Sequence, residues 1–206
     1  MNSGSSGHAQ ERLRRRGLHL AAFIVAWDLI EGAVAVTAGI AAGSIALLGF
    51  GIDSAIEVFA AAVVIWQLRS GTHHRQRPAL RAIAVTFLLL AAFVAIEASR
   101  NVLAGADADR SLVGIVLNVV AVAVMVPTAI AQSRTGHALD NEVLVAQAKE
   151  TWLSNALSVN VLVGLGLNAT LGWAWADPAV ALVVAAFAAY AGIEAWQDAS
   201  AHRTDR

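Results

Sequence analysis

The sequence predicts an all-α, polytopic membrane protein with six transmembrane helices. Three observations carry that prediction. Of the 206 residues, 58% are hydrophobic and only 14% charged, and a soluble domain of this length has no interior large enough to hide so much apolar surface. Six runs are apolar over the ~20 residues that a helix needs to cross a bilayer: residues 18–41, 44–68, 79–103, 111–132, 146–170 and 176–196. Lys and Arg fall on alternate connections, the asymmetry expected of cytoplasmic segments.

The elements follow in order. The opening stretch "MNSGSSGHAQERLRRR" is polar and ends in a basic cluster. The apolar run after it is too long for the core of a signal peptide, so it reads as a retained first helix. Residues 1–17 are expected to be a disordered cytoplasmic tail, residues 18–197 one transmembrane domain, and residues 198–206 a short second tail. The separators are "AGS" (42–44), a tight turn; "RSGTHHRQRP" (69–78), basic; "AGADADR" (104–110), acidic; "SRTGHALDNE" (133–142), polar; and "LGWAWADP" (171–178), a turn whose Trp173 and Trp175 suit the membrane interface. Pairs of small residues such as Gly39/Gly43 and Gly164/Gly166 allow close helix approach.

All but Arg100 and Arg110 of the 14 Lys and Arg lie on one side of this topology. The positive-inside rule makes that side cytoplasmic, with both termini on it, as an even number of helices requires. Net charge is −1, so bulk charge favours no nucleic-acid partner. The absence of cysteine excludes disulfides, thiolate metal sites and cysteine catalysis. An enzyme is not expected: there is no Ser/His pair at membrane depth, no HExxH and no Gly-rich phosphate loop.

The acids are the informative residues. Asp28 and Glu31 fall in helix one, Asp53 and Glu57 in helix two, Glu97 in helix three and Glu150 at the start of helix five. A carboxylate near the bilayer centre costs about 2.5–3.5 kcal/mol on insertion scales. All six histidines lie in loops or near chain ends, so the acids have no base beside them and need a cation or protons. Asp53 and Glu57 are spaced i, i+4 and project from one face. At 1.5 Å per residue they lie ~14 and ~20 Å into the helix, the depth at which secondary transporters hold their cargo. Helix five offers a matching stripe, Glu150, Thr151, Ser154, Asn155 and Ser158. Ser154 and Ser158 are expected to bond back to their own helix, and Lys149 is placed to pair with Glu150. Asp28, Glu31, Glu97 and Thr151 are assigned to the ion path or a proton relay. His73 and His74 form an incomplete metal-ligand pair in the basic loop.

Two segments carry a resemblance. "GSIALLGFGIDSAIEV" (43–58) and "AKETWLSNALSVNVLVGLGLNATLGWAWADPAVAL" (148–182) are similar to helix two and to helices five and six of the cation diffusion facilitator family of divalent-metal/proton antiporters. The resemblance implies six helices, cytoplasmic termini, a homodimer and a metal site of an acid-xxx-acid pair facing His-xxx-Asp on helix five. Here Thr151 and Asn155 stand at the latter positions, with Glu150 able to substitute. "AKETWL" is closer to a small bacterial branch related to vesicular zinc transporters of animals. The family's C-terminal cytoplasmic domain is expected to be missing.

The expectation is a transporter that exports a divalent cation in exchange for protons, at a site made by Asp53, Glu57, Glu150 and Asn155. No cofactor is permanently bound. The resemblance ranks zinc first; oxygen ligands alone would suit Mn²⁺, Fe²⁺ or Co²⁺. The expected setting is a bacterial inner membrane. The rival readings are a passive cation channel, a carrier of a non-metal cation, and a scaffold with protonated acids.

Overall fold

The computed structural model describes residues 3–42, 45–70, 75–104, 112–171 and 176–201. Six helices account for almost all of them: α1 (Ser3–Ala42), α2 (Ile45–Ser70), α3 (Gln76–Ala104), α4 (Leu112–Ala138), α5 (Glu142–Leu171) and α6 (Ala176–Ala201). Five of these, all but α5, are long and apolar enough among the described residues to cross a membrane. α5 has 30 residues, about 45 Å at 1.5 Å per residue, and packs along α4. Large apolar side chains face outward, Leu29, Ile30, Ile40 and Tyr190 among them, each more than half exposed. Lipid solvates such a surface where water would not. The chain is a multi-pass integral membrane protein.

One expectation is corrected at the start. The segment expected to be disordered over 1–17 is helical from Ser3 onward. Arg14 and Arg15 both bond Glu11, at 2.9 Å each, across i, i+3 and i, i+4 spacings, pairs that support a helix. Arg14 also donates to the Leu68 carbonyl at the end of α2, at 3.1 Å. A second correction concerns residues 133–142. They do not form a long loop: α4 runs to Ala138 and α5 starts at Glu142. Asp140 takes a left-handed conformation (φ 51°), and the Asn141 amide closes the turn on the Gly136 carbonyl at 2.9 Å. The Asn141 side chain then accepts from the Leu144 N–H at 2.9 Å, an N-cap for α5.

The helices associate as α1 with α2, α4 with α5, and α3 with α6. In the first pair the backbones meet at glycines: a Cβ on Gly51 would overlap Val36 Cγ2, and one on Gly32 would lie 3.1 Å from Ser54 Cβ. Gly192 gives α6 the same access to Phe87 of α3. Contacts at one end of the bundle fix its alternation. Asn141 donates to Gln67 at 3.0 Å, Gln76 to Glu142 at 3.0 Å, and Arg77 to the Ala199 carbonyl at 3.1 Å. The start of α1, the end of α2, the start of α3, the α4–α5 turn and the end of α6 therefore share one end. Arg75 and Arg81 sit there over the rings of Trp66 and Trp196. Among the described residues only Arg100 stands at the other end of α3. The Gly43 and Ser44 turn, Asp107, Asp109, Arg110, Trp173, Trp175 and the 202–206 tail lie outside the described residues.

Candidate metal centre

The α1–α2 glycine contact sets the position of the acids. Gly32 follows Glu31 in sequence and Gly51 precedes Asp53 by half a turn, so the close backbone approach brings the acidic faces of both helices together. Glu31, Asp53 and Glu57 line one small cavity with Ser154, Asn155 and Ser158 of α5; Ala121 and Met125 of α4 form its apolar wall. Its volume is about 10 Å³, the space of roughly one water molecule. The α3–α6 pair contributes nothing to this lining.

Ser154 does not bond back to its own helix as expected. Its hydroxyl donates across to Asp53 Oδ2 at 2.7 Å, leaving Asp53 Oδ1 buried and unpartnered. Glu57 is buried, its Oε1 has no partner, and it lies within electrostatic reach of Asp28, Glu31, Asp53 and Glu150. Glu31 Oε2 accepts from the Trp27 indole N–H at 2.8 Å. Asp28 is buried behind it with both oxygens unpartnered.

Glu150 is 1% exposed and both its oxygens are also unpartnered. The Thr86 hydroxyl lies beside it but donates to the Ile83 carbonyl at 2.7 Å. The expected partner, Lys149, is engaged elsewhere: its ammonium meets Glu194 of α6 at 2.8 Å. Successive residues on a helix point about 100° apart and do not face each other. Glu150 is not a liner of the cavity; it stands one turn toward the basic end. Thr151 donates to the Gln147 carbonyl at 3.2 Å and Asn155 to the Thr151 carbonyl at 2.8 Å. The Asn155 amide is thus held from behind while the residue lines the cavity.

Glu97 is not brought to this site. Its side chain is 25% exposed and lies 3.9 Å from Arg100, toward the far end of α3. His73 and His74 lie outside the described residues. The carboxylates ring the cavity without converging: among the described residues, no three Asp, Glu, His or Cys side chains are placed to share one ion. An ion at the cavity would therefore meet carboxylate and neutral oxygens together.

Residues 21–200 match the family whose description is cation efflux transmembrane domain. The chain belongs to the cation efflux family. An uncharacterized transporter of Synechocystis sp. is 26% identical over 178 residues, 81% of this chain and 56% of the relative. The chain thus spans little more than half the length of that relative. The cation efflux match covers all the acids of the cavity and both helix pairs that build it. Within it stand polar residues that pattern reading passed over. Gln132 of α4 and Gln147 of α5 are fully buried. The signal was present: a glutamine inside a membrane helix is costly for the same reason as an acid, although less so.

Proposed function

We propose that this chain carries a divalent metal cation out of the cytoplasm in exchange for protons. Asp53 and Glu57 hold the ion, Asn155 supplies a neutral oxygen, and Glu150 stands one turn away on the side from which the ion enters. The observation that carries this reading is the cavity itself. Three carboxylates surround a space of about 10 Å³, and among the described residues no Lys or Arg lines it. Such a group of carboxylates is stable only with a cation or with protons on it, so one occupant displaces the other. Metal ligands must be deprotonated to bind, which makes binding release protons. Membership of the cation efflux family supports cation transport as the activity. The resemblance to zinc carriers ranks Zn²⁺ first; the oxygen ligands keep Mn²⁺, Fe²⁺ and Co²⁺ as competitors.

Asp28 and Glu31 belong to the proton path behind the ion. The basic end of the bundle is cytoplasmic, which the Lys/Arg asymmetry supports. The Synechocystis relative supports a bacterial inner membrane, and the resemblance to the family supports a homodimer. The test is zinc uptake into proteoliposomes under an imposed pH gradient. We expect flux that follows the gradient and falls to background in Asp53→Ala and in Glu57→Ala. Flux indifferent to the gradient would mark a passive channel. Flux intact in both variants would remove the site.

A further inference from the structure

Gln132 of α4 and Gln147 of α5 are 0% and 1% exposed, and neither the amide nitrogen nor the amide oxygen of either side chain has a hydrogen-bond partner. Other polar residues of α4 behave differently. Asn118, Thr128 and Thr135 each donate to a carbonyl one turn back, at 2.7–2.9 Å. Buried polar atoms that find no protein partner are held by water where there is room for it.

The two amides lie at neighbouring levels of the bundle. At the α4–α5 turn Gly136 packs against Val145, whose nitrogen would lie 3.0 Å from an added Cβ. From that contact Gln132 lies one turn further in on α4, and Gln147 lies half a turn further in on the antiparallel α5. Both sit on faces that lead to the acid cavity. On α4, Gln132 shares a face with Met125 at i−7; on α5, Gln147 shares one with Glu150 at i+3 and Ser154 at i+7. Met125 and Ser154 line the cavity. In the other direction the α4–α5 turn borders a larger cavity of about 220 Å³, whose lining includes Asp140, Glu142, Glu194 and Asp198. The unpartnered atoms of Gln132, Gln147 and Glu150 thus stand between the acid cavity and this larger one, which His137 and Lys149 line as well.

We propose that Gln132, Gln147 and Glu150 line a hydrated route between α4 and α5, along which a cation passes between the basic end and the cavity while the amides exchange for waters of its shell. The cation rests on the function proposed above; the water does not. The chain has no cysteine, so single cysteines can be read without background. In lipid nanodiscs, Gln132→Cys and Gln147→Cys are exposed to a charged methanethiosulfonate reagent, with Val64→Cys as the control, since Val64 is 0% exposed inside an apolar cluster. Only a hydrated thiol ionises to the reactive thiolate, so both Gln positions should react at least about tenfold faster than the control. Zn²⁺ should slow the reaction at Gln147→Cys. Thr128→Cys, a smaller change on the same α4 face, gives the same reading where a Gln variant fails to fold.

Equal, slow labelling at all positions overturns the route. Fast labelling that Zn²⁺ leaves unchanged overturns the cation's use of it. Labelling needs no transport: a chain that labels at both amides but moves no metal loses the proposed function and keeps the route, and a chain that moves metal but labels at neither loses only the route.

Discussion

Ser154 donates to one oxygen of Asp53 and leaves the other buried without a partner. The same hydroxyl could have satisfied itself on its own helix, as Thr151 does on Gln147. What differs is the neighbour: Ser154 has a carboxylate 2.7 Å away on α2. Groups that orient a metal ligand typically contribute 10–100-fold to affinity. Ser154→Ala should therefore weaken zinc binding by about that factor, with Ser154→Thr retaining most of it, measured by calorimetry in detergent. At this scale the sequence was legible in part. The acids, their depth and the polar stripe of α5 could be read from spacing. Which hydroxyl turns inward along its helix and which reaches across could not, because both options fit one periodicity and only the facing helix chooses. Lys149 escapes sequence reading for a related reason: adjacency in sequence is not adjacency in space, and its partner Glu194 lies on α6.

The helices themselves were visible as apolar runs, and their ends were not. A polar stretch such as 133–142 reads as loop by composition, yet helix hydrogen bonding tolerates polar residues where the chain leaves the bilayer. It stops only at Asp140, where the backbone turns left-handed. The first helix shows the same effect, continuing through its basic cluster on Glu11 pairs. The element that most constrains the site is the α1–α2 pair. Its two backbones come together at Gly32 and Gly51, beside the acids. Val36 is β-branched and stiff, so it gives little room to a side chain at residue 51. Overpacking of this kind costs ~1–3 kcal/mol, and Gly51→Val should lower the detergent melting temperature accordingly. Zinc affinity should fall with it, since the acids of α1 and α2 would be forced apart.

For the whole molecule, one asymmetry governs orientation. The helix ends tied together by Asn141–Gln67, Gln76–Glu142 and Arg77–Ala199 carry nearly all the described Lys and Arg. The positive-inside rule assigns that end to the cytoplasm. In right-side-out vesicles an impermeant thiol reagent should reach Leu103→Cys, at the opposite end, and should reach Ser200→Cys only after permeabilisation. The reverse pattern would invert the proposed direction of transport. The organisation into three pairs was not legible in the sequence. Apolar runs of similar length carry no record of which partner each will choose, and that choice places α3 and α6 outside the cavity.

The indole of Trp27 meets Glu31 at 2.8 Å, stacked on Phe23 with ring centroids 6.4 Å apart. A bond from an indole N–H to a charged carboxylate is stronger than one to a neutral acid, so the excited state of that ring registers the charge on the cavity wall. The protein thereby contains its own optical gauge. Tryptophan emission should shift as zinc is titrated in and plateau when the site is filled. Trp27→Phe should abolish the shift, while Trp66→Phe, whose ring lies under Arg75 at the basic end, should leave it in place.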